Sequence, residues 1–133
     1  MAIFGAIETS NTGLQLHRKW MDAVSDNIAN INTAVNGDAN AFQERYIQAV
    51  AADYTDIGGG IKASYATFGS TQGRLVQDPT NPLANAAGYV RYPDIDLGQQ
   101  MTYLIQAQRG YQANLAVVDR ARDAYQSALQ IGK

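Results

Sequence analysis

LGQQMTYLIQAQRGYQANLAVVDRARDAYQSALQI, residues 97–131, contains no proline and sets Leu97, Leu104, Tyr111, Val118 and Tyr125 at seven-residue intervals. Met101, Leu115 and Leu129 fall in a second register between them, with Gln108 and Arg122 as its polar members. Alternating steps of three and four residues bring both registers onto one seam of a helix. The stretch reads as one long helix whose apolar edge needs a helical neighbour. Asp96 followed by Gln99 reads as a capping box at its start, with Pro93 just upstream and Gly132 as its stop. Gly110 is the weak interior position. Polar residues on the seam fix register and partner at some cost in stability.

Working outward, the N-terminus repeats the pattern. Ile7, Leu14, Met21 and Ile28 lie seven apart, and Ile3, Val24 and Ile31 share a second register with Ser10 and His17. Residues 3–31 predict a second helix, roughly 40 Å long at ~1.5 Å per residue. That is longer than a globule of 133 residues needs. Gly5 and Gly13 each weaken it by ~1 kcal/mol. The helix ends in SDNIANINT, residues 25–33, a run dense in poor helix formers. The carboxamides of Asn27, Asn30 and Asn32 both donate and accept, which suits backbone groups left open where a helix ends. Two readings stand here: amides stitching the helix end to its own loop, or amides docking a neighbouring chain.

Residues 34–96 are rich in Gly, Asn and Pro. Asn36-Gly37 marks a turn, and residues 42–54 are ambiguous between a short helix and a strand. IKASYATF (61–68), RLVQ (74–77) and GYVRY (88–92) read as strands, and Gly58-Gly59-Gly60 as a flexible turn. The expected architecture is mainly α with a small β-rich or irregular insertion. Residues 1–33 plus 97–133 form a terminal helical assembly domain, its two helices packing as a coiled-coil-like pair. The middle domain, 34–96, is too small for a large core of its own.

Ten basic residues against twelve acidic ones leave a net charge of −2. The balance lacks the basic surplus of a nucleic-acid binder or of a protein held on anionic lipid. There is no cysteine, which excludes disulfides, thiolate zinc sites and cysteine nucleophiles. No apolar run approaches the ~20 residues that cross a bilayer, so no direct membrane insertion is expected. The opening MAIFGAIETS lacks the cationic region, long apolar core and cleavage site of a secretory signal. The chain reads as cytoplasmic, or as exported by a route that cleaves no signal.

Catalytic chemistry finds little material. His17 is the single histidine and sits on a helix seam. Asp94 with Asp96, and Asp53 with Asp56, lack a further ligand or an EF-hand spacing, and the triple glycine lacks the lysine and hydroxyl of a phosphate loop. No catalytic residue, metal, cofactor or small-molecule substrate is expected. Tyrosine buries a large ring while keeping a polar tip, so Tyr111 and Tyr125 read as helix-packing anchors rather than platforms for bases. Tyr65 and Tyr89 are candidates for contacts made by the middle segment. A small enzyme with its pocket in the β-rich middle and a helical adaptor closing into a discrete dimer are the competing readings.

Ser25, Asn27, Ile28, Ala29, Asn30 and Thr33 match the pattern S-x-N-[IL]-A-N-x-x-T, and SDNIANINT thereby resembles the N-terminal signature of flagellar axial proteins. DPTNPLANAAGYVRYPDIDLGQQM (78–101), followed by QAQRGYQANLAVVDRARDAYQSALQIGK (106–133), is similar to the proximal rod proteins of the FlgC type. Tyr111, Ala113, Asn114, Ile131, Gly132 and Lys133 fit that type. The Gly-Tyr-Val…Pro-Asp-Ile segment argues against the FlgB and FlgF types, and the length argues against the hook and distal rod proteins. Both termini carry the resemblance; residues 34–77 do not.

The resemblance implies a structural subunit exported unfolded through the flagellar type III apparatus. Such subunits polymerise with copies of themselves and with other rod subunits into a hollow shaft in the periplasm. The shaft transmits motor torque and passes exported subunits, and terminal helices form its inner tube. Contacts between subunits are then expected from Ile7, Leu14, Met21, Val24, Ile28 and Ile31 on the first helix. The amides Asn27, Asn30 and Asn32 join them, with Met101, Leu104, Tyr111, Asn114, Leu115, Val118, Tyr125 and Leu129 on the last helix.

Overall fold

Both seven-residue patterns form the helices they predict. The computed structural model describes residues 2–53 and 59–131, without the side chains of residues 2–4, 64 and 65. In chain order the elements are α1 (Ala2–Asn30), β1 (Val35–Asn36), β2 (Arg45–Ala52), β3 (Gly60–Phe68), β4 (Arg74–Gln77), β5 (Tyr89–Tyr92) and α2 (Leu97–Ile131). Two long helices thus bracket a small antiparallel β region. The expected stop at Gly132, the roles of Asp56 and Gly58, and the side chains of Ile3 and Tyr65 lie outside the described residues.

Asp96 caps α2: the Gln99 backbone N–H donates to its Oδ1 at 2.7 Å. The return half of the capping box is absent, because the Gln99 amide reaches forward to the Tyr103 hydroxyl at 3.0 Å. The ambiguous stretch after residue 42 resolves as strand β2. It pairs antiparallel with β3, from Arg45 opposite Phe68 to Ala52 opposite Gly60, with an irregularity between Ile47 and Ala49. The other strands form a separate sheet of order β1-β5-β4. Arg91 ties its loops together: Nε and Nη2 donate to the Gly37 carbonyl at 3.0 and 2.7 Å, and Nη1 donates to the Gln72 carbonyl. Between β4 and β5, the Asp78 carboxylate accepts from Thr80 and Asn81, which holds its pKa below the usual carboxylate range.

The helices run antiparallel, with Asn27 beside Gln100 near one end and Gly13 under Asn114 toward the other. The β2–β3 hairpin leans on α1. Thr9 Oγ1 donates to the Gly59 carbonyl at 3.1 Å, and the Ile61 N–H donates to Thr12 Oγ1 at 3.0 Å. Among the described residues the buried apolar side chains are few and small: Ala23, Val24, Ala41, Val90, Pro93 and Ala107. α2 has 35 residues and α1 has 29. Counting from Gly13 under Asn114 brings the start of α1 opposite about residue 125 at equal rise per residue. The last turn and a half of α2 therefore projects past its partner.

One expectation needs correcting. The line along which the two helices meet is displaced to one side of their apolar edges. On α1 the inward positions are Ser10, Gly13, His17, Trp20, Val24 and Asn27, so Gly13, Trp20 and Asn27 replace Leu14, Met21 and Ile28. On α2 they are Gln100, Tyr103, Ala107, Gly110 and Asn114, each one residue before its expected counterpart. One residue is about 100° of helix rotation. The physical reason is fit: glycines and an alanine permit close approach, and the polar groups on this face find each other.

Candidate assembly surfaces

The inner seam is built from small residues facing large ones. A Cβ on Gly13 would lie 2.7 Å from Asn114 Nδ2, and one on Gly110 would fall on the His17 ring. Asn114 Nδ2 also donates to the Gly110 carbonyl at 3.1 Å. His17 stacks on Trp20 with centroids 6.1 Å apart, and Trp20 meets Tyr103 at the same distance. The two glycines that weaken each helix alone are thus the places where the partner helix seats a side chain. The structure also places Val24, Asn27 and Asn114 within the molecule.

SDNIANINT lies where α1, α2 and β2 converge. Asn27 is 1% exposed. Its Oδ1 accepts from the Arg45 N–H at 2.8 Å, while Nδ2 donates to the Arg45 carbonyl and to Gln100 Oε1, each at 3.0 Å. The side-chain amide serves Arg45 as a paired strand would. Gln100 Nε2 donates to Glu44 Oε1, and the Tyr46 hydroxyl donates to Glu44 Oε2, both at 2.6 Å. That bond to Glu44, with burial second, pushes the Tyr46 phenol up to about 12. Arg45 also pairs with Asp26 at 2.5 Å. Asn30 donates to the Asp26 carbonyl at 2.8 Å and accepts from Thr33 Oγ1 at 3.2 Å. The stitching reading therefore describes Asn27 and Asn30, while Asn32 is exposed. Glu44, Tyr46 and Gln100 escaped sequence reasoning, since their partners are set by tertiary folding; Gln100 beside the apolar seam was the one local signal.

The apolar edges flank the inner seam and stay partly open to water. Leu97, Met101, Ile105, Leu115, Tyr125 and Leu129 of α2 are between 41% and 55% exposed, and Ile131 is 87% exposed. Leu104, Tyr111 and Val118 are half-buried, as are Ile7, Leu14, Met21 and Ile28 of α1 and Ile31 just after it. A contiguous apolar edge of this length marks a contact surface. Ile105 and Ile131 were not among the expected contacts. Tyr89 lies exposed on the three-stranded sheet, opposite Gln77 of β4. Among the described residues no group of side chains could hold a metal ion, and no helix is long and apolar enough to cross a membrane.

Two family models match the segments that build these surfaces. The flagella basal body rod protein model covers residues 7–34, and the flagellar basal body rod FlgEFG protein C-terminal model covers residues 86–131. The flagellar basal-body rod protein FlgC of Bacillus subtilis (strain 168) is 32% identical, over the whole of both chains. The chain belongs to the FlgC family of flagellar basal-body rod proteins. FlgC of Borreliella burgdorferi is 30% identical over 98% of each chain, and FlgC of Salmonella typhimurium 27% identical over the whole of both. The two models take in most of α1 with the loop after it, and β5 with α2. In this FlgC-family chain these are the elements that carry both the inner seam and the outer edges.

Proposed function

We propose that the chain is a structural subunit of the flagellar basal-body rod, joined to copies of itself and to other rod subunits through its outward apolar edges. The observation that carries this reading is the one-residue displacement on α2. The intrachain contact centres on small, aromatic and polar residues with Val24, and the leucines, isoleucines and methionines of the edges are left partly uncovered. Each large apolar side chain forgoes part of the ~1.5–3 kcal/mol that full burial provides. Addition of a subunit recovers it along the whole edge. A head-to-tail contact that does not close on itself generates a helical filament.

Residues 1–33 plus 97–133 act in this reading as the assembly unit, with α1 and α2 as a coiled-coil-like pair, and residues 34–96 as an appended middle unit. The rod so formed is a hollow shaft in the periplasm that carries torque and lets other subunits through. A small core and the lack of cysteine suit a chain that passes unfolded through the flagellar type III apparatus. The chain performs no catalysis and takes no cofactor.

Leu115→Asp tests the proposal, because it puts a charge on an exposed part of the edge. The purified variant keeps the wild-type circular dichroism spectrum and unfolding midpoint, yet is missing from isolated basal bodies. Normal incorporation would overturn the edge as the joining surface, and a single closed dimer of the wild type in sedimentation would replace the filament by an adaptor.

A further inference from the structure

We propose that Asn27, Gln100 and Glu44 form a directional latch that fixes the β2–β3 hairpin against the end of the helix pair. Asn27 is on this view a positioning residue inside the subunit, not a docking group between subunits; the inference rests on the rod-subunit reading above. The direction of the latch is dictated from one end. The Arg45 N–H can only donate, so the Asn27 atom 2.8 Å from it is oxygen. The Asn27 nitrogen then faces Gln100, which must answer with its own oxygen at 3.0 Å. That leaves the Gln100 nitrogen 2.6 Å from Glu44 Oε1, an atom that must accept. Tyr46, at the far end, is the one member whose hydroxyl can turn either way.

Burial makes the order binding. Asn27, Gln100 and Glu44 are 1%, 0% and 7% exposed, so water does not replace a lost partner. The Arg45 guanidinium is engaged with Asp26 and the Phe42 ring, away from the Glu44 carboxylate. The latch joins the last turn of α1, the first turn of α2 and the start of β2. Together with the bonds from Thr9 and Thr12 to the other strand, it sets the lie of the hairpin along α1. The hairpin flanks the outer surface of α1, so its lie decides the shape offered to the next subunit.

Transposing the charge tests this order in the full-length chain. Gln100→Glu still accepts from Asn27 but loses the N–H that Glu44 needs, so two carboxylates face each other and push the start of β2 off the helix end. Hydrogen exchange at the Arg45 amide accelerates by about tenfold or more, and incorporation into rods falls. Combining Gln100→Glu with Glu44→Gln restores the order: the carboxylate introduced at position 100 accepts from Asn27 and from the amide introduced at position 44. The double variant returns both readouts toward wild type. Glu44→Gln alone keeps Arg45 protected, with Tyr46 turned to accept. If Gln100→Glu does not fold, folding of the double variant is itself the rescue. Wild-type exchange in Gln100→Glu, or a double variant no better than the single one, overturns the latch. The expected exchange pattern with wild-type assembly throughout overturns its part in positioning. Failure of the wild type to enter rods would refute the rod reading instead and leave the exchange pattern to judge the latch.

Discussion

Gly110 and Gly13 are the residues at which the cost to one helix is recovered by the pair. Alanine is favoured over glycine in an isolated helix by ~1 kcal/mol, yet at position 110 its methyl group would fall on the His17 ring. His17 is held between the helices and stacked on Trp20, and its Nδ1 is buried without a hydrogen-bond partner. Gly110→Ala is therefore expected to destabilise the protein by about 1–3 kcal/mol, read as a lowered denaturant midpoint. Gly13→Ala costs less, because the atoms it meets are the far end of the Asn114 side chain. At the same scale, Tyr46 predicts an alkaline limit. Its phenol titrates near 12 in the folded chain against 10.0 ordinarily, so the folded state holds the proton more tightly. The stability from this bond is complete below about pH 10 and is lost as the pH rises toward 12. Tyr46→Phe removes that part of the pH dependence of unfolding, and an unchanged alkaline slope would count against the bond.

Among the elements, α2 begins where its cap dictates. Asp96→Ala leaves the Gln99 N–H without its acceptor and is expected to cost about 0.5–2 kcal/mol, measured by chemical denaturation. Helix ends of this kind were legible in sequence to within a residue or two, because caps and seven-residue periods are local signals. Strand β2 was not, since RYIQAVAA satisfies neither period cleanly and is fixed by pairing with β3. The rotation of the helix pair was also hidden. Hydrophobic spacing tells which edge of a helix must be covered, and it is silent on whether the cover belongs to the same chain. Ser10, Gly13, Gln100 and Asn114 carry no apolar signal, and their contacts span most of the sequence. The motif SDNIANINT was legible as a special helix end, but Glu44 and Gln100 were invisible as the partners of its first asparagine.

For the whole molecule, the balance of buried and exposed groups makes stability depend on company. Among the described residues the buried apolar side chains are small or medium in size, a thin foundation for helices of 29 and 35 residues. Dilute monomer is expected to show less helix by circular dichroism than α1 and α2 would contribute, and the signal should rise on incorporation into filaments. Full helicity at every concentration would show that the pair stands on its own.

The longer reach of α2 makes the two extremities of the helix pair chemically unlike. One end offers Leu129 and Ile131 to water, while at the other Leu97 and Met101 sit beside amides and a carboxylate that already have their hydrogen bonds. A row of such units carries an arrow in every member. Its ends cannot be interchanged: one presents an overhanging hydrocarbon stub, the other hydrocarbon set around a polar knot whose bonds are already made.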